Sequence, residues 1–305
     1  SIPQVLWISF FIISAISPFY AANSSEAWSI VSKYGLYTSF IILLPNLLKY
    51  IKDWTQIIKP LIVFSIIAAL SALLDIFAAP EGLAFWKNIY QVKGSFSHKN
   101  ILSIVLFLSL PISFLGQLFL KSNWKSTSTI LMFLLLIEIF LLRTRGVWLS
   151  VFVASSIVLI VNKISVKSEA FIKLPKKPIL ISTAIIAILL VGLMVIPQVK
   201  ESVLDGSNVS RRTAFWENSV EMIKEHPVKG VGSGNWRINF PKYGLEKLDV
   251  SVQQGEVQIQ RPHNDFIWAL SENGIIGGLL FFSFFISLFL VLINRARASE
   301  GRELK

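Results

Sequence analysis

The sequence contains no cysteine. Disulfide bonds, thiolate catalysis and cysteine-ligated metal sites are therefore excluded. The chain also lacks an Asp-x-Asp motif, a P-loop, and any cluster of histidines and carboxylates with metal-ligand spacing. Because these patterns are the usual sequence marks of metal- and nucleotide-dependent enzymes, we expect neither a metal site nor a cofactor.

Charged residues are also scarce, at 15% of the chain, whereas an ordinary globular domain has about 25%. Hydrophobic residues make up 53%, and the mean hydropathy is +0.63. Apolar runs of membrane-spanning length recur along the chain, and in lipid only helices and closed barrels satisfy the backbone. The runs do not alternate as barrel strands do, so we predict an all-α polytopic membrane protein. Basic cytoplasmic loops explain the net charge of +11 more simply than nucleic-acid binding does.

Eight transmembrane helices are predicted, at residues 2–21, 28–48, 60–79, 101–120, 128–142, 147–162, 179–197 and 264–293. Residues 1–197 hold the first seven, 198–262 form one large extracytoplasmic (periplasmic) loop, 263–294 form the last helix, and 295–305 form a cytoplasmic tail. We expect no signal peptide, because neither a charged leading segment nor a cleavage site precedes the first run. A start at Ser1 is compatible with a fragment of a longer protein.

The distribution of basic residues predicts which loops face the cytoplasm. Alternate loops carry many lysines and arginines with few carboxylates, as cytoplasmic loops do. Segment 198–262 contains nine basic and eight acidic residues, and this near-balance of charge is typical of a translocated segment. Both termini are then cytoplasmic, and Arg145, Arg212 and His263 all lie on the outer face. A shared side is the minimum condition for a shared site.

A histidine stands at the entrance of the last apolar run. Pro262 suits the first turn of a helix, so His263 is expected at the positive end of that helix. The field there disfavours imidazolium and leaves a neutral imidazole that can accept a proton. Asn264 and Asp265 follow directly and are candidates to orient the imidazole or a substrate. The alternative is a histidine that is merely wetted at the membrane–water interface.

The fifth and sixth predicted helices are separated by a polar break, Arg143–Gly146, which has to reach an interface or a wet cavity. Guanidinium groups stay charged and hold phosphate oxygens in a bidentate fork, so Arg143 and Arg145 are candidate substrate ligands. Interfacial snorkelling is the alternative, and it is equally open for Arg143. Glu138 lies two helical turns before Arg145 on the same face, and we expect the two to pair.

Two arginines, Arg211 and Arg212, precede a predicted amphipathic helix over residues 213–226 that lies on the membrane domain. Its apolar positions are Phe215, Trp216, Val220 and Ile223. Arginines are poorly placed for the dipole at a helix N-terminus, and a dianionic ligand would account for them; solvated surface arginines are the alternative. After Pro227, the glycine-rich loop 230–234 around Gly232 lets the backbone approach a ligand closely. The polar segment 244–260 is expected to be mobile.

Four separated elements resemble the O-antigen ligase and O-antigen polymerase superfamily of membrane glycosyltransferases. The first is His263-Asn264 followed, after nine residues, by Gly274-x-x-Gly277. The second is Thr-Arg-Gly-Val-Trp-Leu at 144–149, with threonine where the family usually has serine. The third is an arginine four residues before a tryptophan (Arg212 and Trp216), then Pro-x-x-Gly-x-Gly at 227–232.

The fourth element is Gly-Ser-Phe-Ser-His-Lys-Asn at 94–100. It resembles the family's Gly-Thr-Phe-Gly-Asn-Pro-Asn loop but has His98-Lys99 in place of Asn-Pro. The loop is a candidate wall of the site, and a plain helix-capping role for Asn100 is the alternative. Members of the family commonly have more transmembrane helices than the eight predicted here.

The resemblance implies an enzyme of the bacterial cytoplasmic (inner) membrane that moves a glycan from an undecaprenyl-diphosphate carrier to an acceptor hydroxyl. It implies a metal-free, inverting reaction in which Arg145 and Arg212 hold the diphosphate and His263 is the general base. The further substrate-binding candidates are Arg211, Arg143, Asn264, Asp265, Gly232 and Trp216. Gly274 and Gly277 are expected to allow close helix packing.

Several alternatives stay open. A ligase joins the glycan to lipid A core in lipopolysaccharide biosynthesis, a polymerase joins repeat units, and an O-linked protein glycosyltransferase modifies a protein. These differ in their acceptor, whose recognition is expected in residues 235–260. A polysaccharide transporter or flippase would also place arginines and a histidine along a polar path, but it predicts broken helices meeting at the midplane and symmetric halves. The sequence shows neither sign.

Overall fold

The computed structural model describes residues 1–78, 89, 91–164, 207–246, 248 and 250–300, with side chains excepted at 158–164, 207–209 and 295–300. In chain order the helices are α1 (Ile2–Ile16), α2 (Ser24–Leu48), α3 (Thr55–Phe77), α4 (Lys99–Phe119), α5 (Asn123–Leu141), α6 (Arg145–Ile164), α7 (Ser207–Glu225), α8 (Trp236–Asn239), α9 (Val250–Gln253) and α10 (Asp265–Glu300). Short 3₁₀ turns cover Ser17–Phe19 and Phe240–Tyr243. These residues contain no strand, and the predicted all-α class is confirmed for them.

Among the described residues, six helical stretches are long and apolar enough to cross a membrane: Ile2–Phe19, Ser24–Leu48, Thr55–Phe77, Lys99–Phe119, Asn123–Leu141 and Asp265–Asn294. They correspond to six of the eight predicted spans. The span predicted at 147–162 falls on α6, which runs from Arg145 to Ile164. Its side chains are described as far as Ile157, and over Arg145–Ile157 the helix is apolar. The span predicted at 179–197 lies outside the described residues. The chain is therefore a multi-pass membrane protein.

The chain divides into two compact units. The first combines Ser1–Tyr50 with Leu204–Lys305 and contains α1, α2 and α7 to α10. The second is Ile51–Val203 and contains α3 to α6. Arg212 and His263 thus belong to the first unit, and Arg145 belongs to the second.

Aromatic side chains pack α1 against α10 in the first unit. The rings of Trp7 and Phe284 lie 5.0 Å apart, and those of Phe10 and Phe281 lie 5.3 Å apart. The indole N–H of Trp7 donates to Thr38 Oγ1 at 2.9 Å, which ties α2 to the pair. Because a buried indole N–H needs an acceptor, this bond lets a bulky aromatic sit in the apolar interior.

A break in α10 at Gly274 shapes the end of this unit that contacts the loop after α7. Gly274 has a φ of 67° and interrupts the helix inside the last span. Main-chain groups of the loop after α7 occupy the break: Val231 N–H donates to Ser271 O at 2.9 Å, and Gly232 N–H donates to Glu272 O at 2.8 Å. In return Ile275 N–H donates to Pro227 O at 2.8 Å. The loop therefore satisfies backbone groups that would otherwise be exposed in lipid.

Gly274 has to be glycine for this arrangement. A Cβ atom at Gly274 would lie 2.1 Å from the carbonyl oxygen of Val228, and one at Gly230 would lie 2.4 Å from the carbonyl carbon of Glu272. Close packing was predicted for Gly274, and the structure agrees, but its neighbour is a loop and not another helix. The break is filled by the protein's own backbone, unlike the substrate-lined breaks of a transporter.

The turn between α1 and α2 lies beside the segment that leads into α8. Asn235 accepts from Asn23 N–H through Oδ1 at 2.7 Å and donates from Nδ2 to Asn23 O at 3.0 Å. Ser233 N–H donates to Ser17 Oγ at 3.1 Å. The loop after the first span and segment 198–262 therefore share one end of the unit, as their predicted common side of the membrane requires.

The predicted amphipathic helix is α7, but it begins at Ser207 and not at residue 213, so Arg211 and Arg212 lie inside it and not before it. Its buried face is only partly the one predicted. Ala214, Phe215 and Met222 are buried together with Ser219, whose hydroxyl accepts from Trp236 Nε1 at 2.9 Å. Trp216 and Val220, which were assigned to the apolar face, are exposed. The buried face follows the small and aromatic side chains that pack on α8.

The segment 244–260 also departs from the expectation of a purely polar stretch. Leu248 and Val252 are buried in one cluster with Phe215 and Trp236. The short helix α9 carries Val252 into this cluster. The segment thus contributes to the buried cluster formed with α7 and α8.

In the second unit, a polar contact fixes the loop before α4. Asp75 Oδ2 on α3 accepts from Gly94 N–H at 2.8 Å and from Lys93 N–H at 3.1 Å, and Ser71 Oγ accepts from Ser95 N–H at 3.2 Å. His98 Nδ1 then accepts from Asn100 N–H at 3.1 Å. The cap of α4 is therefore His98, and the expected capping role of Asn100 is wrong because the helix already begins at Lys99.

Candidate functional site

His263 lies in the turn that leads into α10. The carboxamide oxygen of Asn264 accepts from Phe266 N–H at 3.1 Å and from Ile267 N–H at 3.2 Å, so Asn264 caps the helix. Pro262 therefore lies outside the helix, and the prediction that it occupies the first turn is wrong. His263 has a φ of 57°, a left-handed conformation that is uncommon for a residue with a Cβ atom. Such strained positions are frequent at functional sites.

Two side chains of α7 hold this turn. The ring of Phe215 stacks on the imidazole of His263, with centroids 6.1 Å apart and planes inclined by 26°. The indole N–H of Trp216 donates to the carbonyl oxygen of Pro262 at 3.0 Å. Arg212 stands one helical turn before Phe215, so α7 brings a guanidinium to the same region as the imidazole.

The charges around His263 favour its neutral form. His263 is exposed in part, and its pKa is lowered first by partial burial, then by the positive charges of Arg212 and Arg261, while Asp265 acts in the opposite direction. The direction agrees with the predicted neutral imidazole, but burial and two arginines account for it here. A neutral imidazole beside cationic groups can accept a proton from a hydroxyl while the guanidinium attracts an anion.

The other sequence-predicted residues of the first unit surround this turn in different ways. Arg212 and Asp265 are exposed, and Arg211 is half-buried. Asn264 uses its side-chain oxygen on the N–H groups of α10, so it positions the helix start and not the imidazole. Trp216 fixes the backbone at Pro262 while remaining partly exposed.

The glycine-rich loop approaches the protein itself. Gly232 is buried, its N–H is committed to Glu272 O, and a Cβ atom there would lie 2.5 Å from the Cβ of Ala21. Gly234 donates its N–H to Glu272 Oε2 at 2.8 Å. The close backbone approach predicted for a ligand is therefore made to α1, α2 and α10, and the structure gives Gly232 a packing role.

Glu272 and Asn273 organise this junction, and sequence analysis gave them no role. Glu272 Oε1 accepts from Trp236 N–H at 3.1 Å, in addition to the bond from Gly234. Asn273 Oδ1 accepts from the hydroxyls of Ser14 and Ser233, each at 3.0 Å. The available signal was the polar triplet 271–273 just inside an apolar run, since intramembrane polar groups demand partners.

The second unit contains the polar break before α6. Ser103 Oγ and Thr144 Oγ1 lie 2.8 Å apart, which joins the start of α4 to the start of α6. Trp148 Nε1 donates to Ile139 O at 2.9 Å across the break. The start of α4, which follows the element at 94–100, therefore contacts the element at 144–149 within this unit. Arg145 is exposed at the first position of α6.

The expected pairing of Glu138 with Arg145 is not formed. Glu138 is fully buried in α5, and neither of its carboxyl oxygens has a hydrogen-bond partner among the residues that the structure describes. Arg145 lies at the exposed start of α6 after a backbone reversal at Arg143, whose φ is 50°. The turn interrupts the helical periodicity on which the expected pairing depended.

Comparison with known protein families matches the O-antigen ligase family over residues 130–282. A polytopic helical membrane protein with a histidine turn held against an arginine-bearing helix is thus a membrane glycosyltransferase of the ligase or polymerase type. The chain belongs to the O-antigen ligase family. The matched range includes Arg145, Arg212 and His263 and leaves out the loop at 94–100. No curated protein and no solved structure matched the chain.

Proposed function

We propose that the protein transfers a glycan from an undecaprenyl-diphosphate carrier to an acceptor hydroxyl on the outer face of the bacterial cytoplasmic membrane. The acceptor is lipid A core, as for an O-antigen ligase. The observation that supports this most is the contact between α7 and the histidine turn in the first unit. There Phe215, one helical turn after Arg212, stacks on His263. It combines a proton acceptor with a phosphate ligand.

The donor is held by guanidinium groups. Arg212, with Arg211 beside it, binds the diphosphate oxygens, and Arg261 adds positive charge near the same imidazole. Arg145 is proposed as a further diphosphate ligand, on the basis of the sequence element to which it belongs. These charges stabilise the negative charge that develops on the leaving diphosphate, so the reaction needs no metal ion.

The chemical step is a displacement at the anomeric carbon. His263 takes the proton of the acceptor hydroxyl as its oxygen forms a bond to that carbon. The bond from the anomeric carbon to the phosphate oxygen breaks, and its electron pair leaves with the diphosphate. Attack from the side opposite the diphosphate inverts the anomeric configuration. The lowered pKa of His263 keeps the imidazole in the form that accepts a proton at neutral pH.

The test is transfer by purified protein, with EDTA present throughout. Undecaprenyl-diphosphate-linked glycan is offered with lipid A core, with a second lipid-linked repeat unit, or with a candidate protein acceptor. Transfer to lipid A core with anomeric inversion supports the proposal, and transfer only to another acceptor replaces the ligase by the polymerase or the protein-modifying enzyme. Activity that EDTA abolishes and added Mg²⁺ restores contradicts the metal-free scheme. If the donor is not consumed with any of these acceptors, the proposed transferase activity is itself contradicted.

Substitutions of the arginines test the donor site. Arg212→Gln and Arg145→Gln should each lower the transfer rate by ~10²–10³-fold, as removal of a charge stabiliser does. Lys224→Gln removes an exposed cation of α7 that pairs with Glu221 and should leave the rate near that of the wild type. Equal effects of Arg212→Gln and Lys224→Gln would show that only net charge matters.

A further inference from the structure

One cavity of the first unit is lined in part by residues that precede the histidine turn in the chain. It has a volume of about 450 Å³ and is formed by the start of α2, the end of α8 and segment 252–259. The polar residues in its wall are Asn23, Glu26, Arg237, Gln253 and Gln258. None of them has a part in the chemical step described above.

The walls of this cavity are tied together by contacts from both sides. Arg237 forms an ion pair with Glu26 and donates from Nη1 to Gln260 Oε1. Gln253 Nε2 donates to Leu248 O at 2.8 Å, which holds α9 against the preceding turn. A cavity fixed in this way is available to a ligand without rearrangement.

The cavity is connected to His263 by a short stretch of chain. Val257, Gln258 and Ile259 line it, and His263 follows Ile259 by four residues. An extended chain spans at most roughly 3.3–3.6 Å per residue, so the two Cα atoms are at most about 14 Å apart. This upper limit allows a molecule to occupy the cavity with one end and to reach the imidazole with the other.

The cavity and the surroundings of His263, where the donor diphosphate is proposed to bind, differ in net charge. The residues that line it include one acid and one base, Glu26 and Arg237, and these neutralise each other. The surroundings of His263 include two arginines, Arg212 and Arg261, against the single carboxylate of Asp265. A diphosphate is therefore attracted to the histidine turn, whereas carboxamides, a compensated ion pair and aliphatic walls suit the hydroxyls and C–H faces of an uncharged sugar.

We propose that this cavity binds a neutral saccharide part of the acceptor and directs its hydroxyl to His263. The proposal rests on the proposed transferase function and assigns the acceptor side of that site. Gln258 is exposed in the cavity wall, whereas Gln254, also exposed, lies outside the cavity. The two glutamines form a matched pair for an experiment.

The absence of cysteine from the chain allows a test on a single folded protein. Gln258→Cys and Gln254→Cys are each assayed before and after reaction with a bulky maleimide. The probe acceptor is the core oligosaccharide that mild acid releases from lipid A core, and the donor is the lipid-linked glycan. Labelling of Gln258→Cys should raise the KM for acceptor at least about tenfold and leave the KM for donor unchanged, and labelling of Gln254→Cys should change neither.

Two outcomes overturn the acceptor assignment while leaving the transferase intact. One is an acceptor KM that labelling at Gln258→Cys leaves unchanged, and the other is an equal rise in the KM for donor. The His263→Ala variant distinguishes these from failure of the proposed function. If His263→Ala transfers glycan at the wild-type rate, the site itself is wrong, whatever the labelled cysteine does.

Discussion

The imidazole of His263 stacks on the ring of Phe215, with centroids 6.1 Å apart and planes inclined by 26°. The contact joins α7 to the turn before α10, and it places the proposed base at a fixed distance from a helix that also carries Arg212. Phe215 is itself 2% exposed, so the ring that supports the histidine is anchored in the buried cluster that also contains Trp236. The packing that fixes Phe215 therefore also fixes the position of the imidazole.

Phe215→Leu should weaken catalysis more than stability. Leucine keeps most of the buried volume but removes the ring, and aromatic pairs contribute ~0.5–1.5 kcal/mol beyond burial, so kcat should fall about two- to tenfold. The measurement is kcat for glycan transfer beside a thermal unfolding midpoint. Met222→Leu, a volume-conserving change on the same buried face of α7, is the control. Equal kcat for both variants would show that the stack has no positioning role.

The pH profile of kcat/KM should have an acidic limb below the ordinary pKa of histidine, about 6.5. Burial, Arg212 and Arg261 lower the pKa of His263, whereas Asp265 raises it. Arg212→Gln removes a charge that disfavours imidazolium, so the acidic limb should move to higher pH. Asp265→Asn removes a charge that favours imidazolium, so the limb should move to lower pH.

The two variants should thus shift the acidic limb in opposite directions. A limb that moves in the same direction in both, or in neither, would assign it to another group. Lys224→Gln, which changes an exposed charge at the far end of α7, should leave the limb where it is.

Gly274→Ala should prevent the loop after α7 from docking on α10. The new Cβ atom would lie 2.1 Å from Val228 O, and both atoms belong to backbone that hydrogen bonds hold in place. The matched control is Gly255→Ala, where φ is also positive, at 77°, but no atom lies within 4 Å. The control should lose only about 1–2 kcal/mol from the left-handed conformation.

Thermal unfolding in detergent distinguishes the two variants. Gly274→Ala should unfold well below Gly255→Ala and should have little transfer activity. Similar unfolding midpoints for the two would mean that the break in α10 tolerates a side chain, and the loop would then not depend on this contact.

The proposed orientation can be checked by cysteine labelling, since the chain has no cysteine of its own. Gln254→Cys lies in the segment proposed to be extracytoplasmic and should react in intact cells with a membrane-impermeant maleimide. Lys52→Cys, exposed between α2 and α3 in a loop predicted to be cytoplasmic, should react only after the membrane is permeabilised. The reverse pattern would put His263 on the cytoplasmic side and exclude the outer-face reaction.

Sequence patterns predicted the elements of the site well. The last helix was predicted from residue 264 and begins at Asp265, because a long uncharged run has few alternatives to a spanning helix. The amphipathic helix was predicted for 213–226, and its end at Glu225 agrees because Pro227 signals it, but its start at Ser207 was missed. Local signals of this kind come from neighbouring residues, and a single sequence reports them directly.

Contacts between distant residues could not be predicted in the same way. The bonds from the loop at 227–232 to Ser271, Glu272 and Ile275 join main-chain groups some forty residues apart, and main-chain bonds leave no pattern in side-chain identity. Asn264 is a residue type that favours the N-cap, so its capping role could have been predicted from the sequence. Pro262 favoured an earlier helix start instead. Which face of α7 is buried depends on Trp236, because its indole N–H donates to the hydroxyl of Ser219.

The most direct measurement of the central claim is the single-turnover rate of glycan transfer by His263→Gln, with donor and acceptor saturating. Glutamine keeps a polar side chain in the turn but cannot take up the hydroxyl proton. The rate should fall by ~10²–10³-fold at neutral pH, while the KM for donor stays within a few-fold of the wild type. A rate within a few-fold of the wild type would contradict the assignment of His263 as the base.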